Sequence, residues 1–138
     1  MTRNMNNANQ AFEPTRTARI HAYVAGFLVV LVTGLYAIAS GVLPGKLVEG
    51  GDSLAATIYA HRSALRSLVI VGLLGIVLLR RNWTLIWLAL LLNGIVQSGD
   101  SVLGIVRGSA ADSVGPLVMG LLLLSAAWRV KPSSAGAK

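Results

Sequence analysis

Residues 54–107 read LAATIYAHRSALRSLVIVGLLGIVLLRRNWTLIWLALLLNGIVQSGDSVLGIVR. Two long apolar runs, Leu54–Leu79 and Trp83–Val106, meet at one short break, Arg80-Arg81-Asn82. A helix needs about 20 mainly apolar residues, rising about 1.5 Å each, to cross a bilayer, and both runs exceed that length. Neither shows the two-residue alternation of a strand, and both are too continuous for one. The pair therefore reads as two antiparallel membrane-spanning helices joined by a tight turn.

Outward from this pair the pattern recurs on each side. Upstream, Ile20–Leu43 is apolar and stops at Pro44-Gly45. Downstream, Val114–Trp128 follows Asp112 or Ser113 as the expected N-cap, with Pro116 in the expected first turn. That last run reaches spanning length only when extended from Ser113 to Val130. The fold expected is all-α and membrane-embedded, four transmembrane helices in an up-down bundle. They fall at about 20–43, 53–79, 83–106 and 113–130 and make a transmembrane domain of residues 19–131. Asp52-Ser53 leads into the second helix. Residues 1–18 are Asn- and Thr-rich and read as a polar tail with an interfacial turn around Phe12, and residues 132–138 form a C-terminal tail.

Composition agrees with this reading. The 138 residues are 54% hydrophobic and 12% charged, against about 45–50% and about 25% in an ordinary soluble domain. Zero cysteines exclude a disulfide scaffold, a zinc-thiolate site, an iron–sulfur site and thiol chemistry. Residues 1–39 have the outline of a secretory signal, with Ala37-Ile38-Ala39 as an A-x-A site, but the apolar stretch is too long for a typical signal. It is expected to be a retained helix.

The net charge of +7 is a topology signal. Arg3, Arg16, Arg19, Arg80, Arg81, Arg129, Lys131 and Lys138 all flank one side of the expected bundle, whereas Lys46 and Arg107 flank the other. By the positive-inside rule both termini are cytoplasmic. Trp83, Trp87 and Trp128 fall near the same ends, as interfacial anchors do. Nucleic-acid binding would gather the cations on one face among aromatics, and they are not so gathered. The implied location is the cell membrane, as a multi-pass protein with the lipid bilayer as its first partner.

Two arginines resist the topology explanation. Arg62 and Arg66 stand four residues apart inside the second helix, on one face, with Tyr59 three residues before Arg62. The third helix carries Asn93, Gln97 and Asp100 in one stripe, with Ser101 beside it. Counting from the basic ends sets Arg66 and Gln97 level at roughly 21 Å, and Arg62 and Asp100 level at roughly 26–27 Å. Thr33 and Tyr36 of the first helix fall at the same two heights, with Ser40 above them, and Asp112 and Ser113 lie near the upper one. All four helices then feed one polar layer in the outer half of the membrane, while Leu68–Leu79, Leu85–Leu92 and Val118–Leu124 stay apolar.

Buried charges in a span are costly and mark either register-setting contacts or a site. In the structural reading Asp100, Gln97 and Asn93 satisfy the arginines and fix helix register. In the binding reading Arg62, Arg66, Asn93, Gln97, Asp100, Tyr36 and Tyr59 line a polar outer-leaflet pocket for a small amphiphilic or anionic ligand. In a catalytic reading Asp100 or His61 is the acid/base and the arginines stabilise an anion, as in a membrane-embedded isomerase, hydrolase or cyclase acting on a lipophilic substrate. An accessory subunit of a membrane complex, or a homo-oligomer, would use the layer structurally. No metal site or cofactor is implied, because His21 and His61 fall at opposite faces and no phosphate-loop, dinucleotide, zinc or heme motif occurs. Small-xxx-small pairs such as Gly41/Gly45 and Gly104/Gly108 permit close helix approach but, with 15 glycines, identify no interface.

Over residues 20–130 the layout resembles the small four-helix bacterial membrane proteins grouped as DoxX-like. The resemblance rests on YAHRSALRSLVIVGLLGIVLLRRN, with Arg62 and Arg66, and on LLNGIVQSGDSVLGIVRG, with Asp100. It implies the four-helix fold and carries over no catalytic residue.

Overall fold

A computed structural model describes residues 13–47 and 53–132. Among them the chain is helical, with α1 (Arg16–Val42), the single turn α2 (Pro44–Leu47), α3 (Leu54–Arg80), α4 (Trp83–Val106) and α5 (Ala110–Arg129). Side-chain oxygens cap the long helices. Thr15 accepts from the Ala18 amide, Ser53 from Ala56, Asn82 from Leu85 and Ser109 from Asp112. Arg81 takes a left-handed backbone (φ 54) and reverses the chain between α3 and α4. At the end of α4, Gly108 (φ 73) lets its own amide reach Ile105 O and the Ser109 amide reach Gly104 O, a Schellman closure.

Three helices, α1, α3 and α4, are long and apolar enough to cross a membrane, and a third or less of each apolar window is buried. Exposed residues such as Phe27, Leu35, Val69, Leu79 and Val102 cover their outer faces. A chain with this much apolar surface facing outward needs an apolar surrounding.

Several expected boundaries shift, each for a local reason. α1 begins at Arg16 rather than Ile20, because Thr15 caps it and Ala18 packs into the core. Residues 16–18 therefore belong to the helix and not to a tail. The last long helix begins at Ala110, since Ser109 and not Asp112 or Ser113 supplies the cap. Pro116 accordingly lies inside α5 rather than in its first turn, where it offers no amide to the Asp112 carbonyl. Pro44, expected to end a helix, opens the short α2 as a first-turn proline. The turn around Phe12, Asp52 and residues 133–138 lie outside the described residues.

The closest pairings are α1 with α3 and α4 with α5, and α1 also packs on α5. Both close pairs are antiparallel. Gly26, Gly34 and Gly41 of α1 face Leu78, Val71 and Ala64 of α3, while Gly94, Gly104 and Gly120 bring α4 and α5 together. The core lies toward the end that carries Arg16, Arg80, Arg81 and Arg129. There Ala22, Ala25, Val29, Leu74, Ile86, Leu90, Leu123 and Ala126 are fully shielded, and Tyr23 meets Trp83 edge-on at 5.7 Å.

Glycine is required where backbones touch. A methyl at Gly104 would stand 2.6 Å from both the carbon and the oxygen of the Asp112 carbonyl, whereas nothing lies within 4 Å of one at Gly99. Gly104→Ala should therefore lower stability by about 1–3 kcal/mol through overpacking. Gly99→Ala should be neutral or stabilising by up to about 1 kcal/mol, from helix propensity. Thermal unfolding of the two purified variants beside the parent chain checks the contrast.

Candidate functional site

The polar residues sit at the end opposite the basic one, on the edge where α3 meets α4. Tyr59, Arg62 and Arg66 share one stripe of α3, at spacings of three and four. Two of the three reach α4. Arg66 Nη2 donates to Asp100 Oδ1 at 3.2 Å, and Arg107 Nη2 donates to the Tyr59 hydroxyl at 3.1 Å, with its guanidinium 5.5 Å from the Tyr59 ring centre. The hydrogen bond it donates to Tyr59 holds the Arg107 guanidinium above its ordinary pKa, so it stays charged at any working pH.

Residue counting paired Arg66 with Gln97 and Arg62 with Asp100. The structure instead joins Arg66 to Asp100, and Gln97 Nε2 donates to Thr33 Oγ1 of α1 at 3.3 Å. The cause is the lean of helical side chains toward their own N-terminus. α3 and α4 run in opposite directions, so their side chains lean toward each other along the axis. Contacts therefore form between positions offset by three residues, about 4.5 Å. α1 and α4 run the same way, so Thr33 and Gln97, which lie level, do meet. Tyr59 and Arg107 obey the same three-residue offset as Arg66 and Asp100. That rule would have found Arg107, which the sequence suggested only as a loop charge.

The register leaves Arg62 in a distinct position. Among the described residues Arg62 has no hydrogen-bond or salt-bridge partner. Its side chain is exposed, and so in part are those of Arg66 (54%) and Asp100 (33%).

The remaining expected site residues lie elsewhere. Asn93 is buried and bonds back to Ala89 O of its own helix at 2.9 Å. Tyr36 is half-exposed on α1 and makes no hydrogen bond among the described residues. His61 faces α1, where Nε2 donates to Gly41 O at 3.0 Å, as it must because a carbonyl only accepts. His61, on α3 toward α1, and Asp100, on α4 toward Arg66, the two acid/base candidates, therefore stand on opposite sides of α3. The bundle interior adds Ser101, whose buried hydroxyl has no hydrogen-bond partner among the described residues.

A separate groove of about 330 Å³ runs between α1 and α3, lined by Ala37, Ile38, Gly41, His61, Ala64 and Leu65 among others. Of the residues expected to hold a ligand, none lines it. The polar residues instead form an outward-facing edge of paired side chains beside the Arg62 guanidinium, which no other described residue pairs. Chemically that edge can neutralise and orient an anion, since an arginine spends one of five N–H donors on a single carboxylate oxygen.

The Arg66–Asp100 contact should couple modestly. A double-mutant cycle with Arg66→Ala and Asp100→Ala, read by unfolding in detergent, should give an interaction energy of about 1 kcal/mol, the double variant losing less than the two singles together. Compared with known proteins, this chain matches no family model, no curated protein and no solved structure.

Proposed function

We propose that this chain is a multi-pass integral membrane protein that binds a small amphiphilic anion on the polar edge of α3 and α4. In this reading α1, α3, α4 and α5 all cross the bilayer, both termini are cytoplasmic, and the polar edge lies in the outer half. The 20 residues of α5 span about 30 Å, the thickness of a bilayer's hydrocarbon core. A DoxX-like layout fits this reading and brings no activity with it.

The observation that carries the binding reading is the excess of guanidinium over carboxylate on one exposed edge. Arg62, Arg66 and Arg107 gather there, and Asp100 is the one carboxylate bonded to any of them among the described residues. Register alone requires one such pair, not three cations.

Orientation is testable because the chain has no cysteine of its own. A single Lys46→Cys change should react with a membrane-impermeant maleimide on intact cells, and Lys131→Cys only after permeabilisation. The reverse pattern would invert the topology.

Binding is testable with single-chain probes. Dodecyl phosphate and dodecanoate should raise the melting temperature of the purified chain in a neutral maltoside detergent by several degrees. Arg66→Ala should remain folded and lose most of that rise. A rise that survives in Arg66→Ala would place the anion elsewhere, and no rise in the parent chain would overturn the reading.

A further inference from the structure

The polar edge faces lipid rather than an enclosed cavity. On α3, the stripe of Tyr59, Arg62 and Arg66 lies next to an exposed apolar ridge of Leu65, Val69 and Leu73. α4 presents exposed Leu92 and Leu103. α3 and α4 also meet less closely than the α1/α3 and α4/α5 pairs do. Guanidinium above and aliphatic side chains below match a molecule that is anionic at one end and aliphatic along the rest.

Depth supports a head group at Arg62. The 27 residues of α3 extend about 40 Å, some 10 Å more than the hydrocarbon core. Arg62 lies eight residues, about 12 Å, inside the start of α3. Its α-carbon is then several ångström below the outer boundary, and its side chain leans toward that boundary because α3 begins there. Arg66 lies one turn deeper and is held by Asp100, which leaves it N–H donors to share. Charge adds a sign. Among the described residues on this edge, the guanidiniums of Arg62, Arg66 and Arg107 outnumber Asp100, the one carboxylate bonded to any of them, so the edge itself favours an anionic head group over a zwitterionic one.

We propose that the α3–α4 edge is a site for an anionic glycerophospholipid of the outer leaflet. Arg62 takes the phosphate, Arg66 assists it, and one acyl chain lies along the exposed apolar ridge past Val69 and Leu73. The proposal rests on the membrane orientation and the anion site argued above and narrows the ligand to a lipid. Arg62 is the residue that separates binding from folding, because no described residue of the chain pairs with it.

The test uses the full chain purified in a neutral maltoside detergent, with lipid retention followed by native mass spectrometry and thermal melting. The parent chain should hold phosphatidylglycerol about ten-fold more tightly than phosphatidylcholine. Arg62→Gln should bring the two lipids within about two-fold of each other while melting like the parent in the absence of lipid. Arg62→Lys, which keeps the charge but not the forked geometry, should retain part of the preference, and it serves in place of the glutamine variant if that one does not fold. Inorganic phosphate at millimolar concentration should move neither melting curve. An undiminished preference in Arg62→Gln, equal retention of both lipids by the parent, or stabilisation by inorganic phosphate alone would each overturn the proposal. Dodecyl phosphate bound without phosphatidylglycerol would remove the lipid and leave the anion site standing, whereas neither bound would remove both.

Discussion

The reversal at Arg81-Asn82 sets the register on which the rest of the polar edge depends. Arg81 accepts a left-handed backbone, uncommon for a residue with a side chain, and Asn82 caps α4 at once. So short a connection allows little sliding of α3 against α4. Opposed side-chain leans then convert that register into contacts at a three-residue offset, which yields Arg66–Asp100 and Tyr59–Arg107 together. One turn thus determines which side chains of α3 and α4 meet.

Packing and polarity are divided along the helix axis. At the basic end, alanine, leucine and isoleucine from α1, α3, α4 and α5 pack to near-complete burial, and glycines let the paired helices approach. Between apolar helices in lipid, this close packing supplies the association that the hydrophobic effect cannot. At the other end the side-chain contacts across the α3–α4 edge are single hydrogen bonds between partly exposed side chains. A site placed there can exchange a ligand without disturbing the shielded core.

The layout was legible from sequence because spanning helices follow from length and composition. α3 and α4 lie within a residue of the expected ranges, and Asn82 follows the expected break. The errors have physical sources. The start of α5 shifts to Ala110 because Ser109, in a polar stretch with no apolar period, outcompetes Ser113 as the cap. The levels of Arg66 and Asp100 differ because counting α-carbons ignores where side chains lean. Asn93 shares a stripe with Asp100, but it is deep enough to close on its own helix.

What the sequence by itself determined is which segments are helical, which are apolar enough to span, where the basic end lies, and that Tyr59, Arg62 and Arg66 share a face. Those properties are local, fixed by composition and a 3.6-residue period. Only the tertiary structure decided which residues meet across helices, that His61 and Asp100 stand on opposite sides of α3, and that Arg62 pairs with no other described residue. Such facts depend on the relative direction and offset of two helices, and no single helix contains that information.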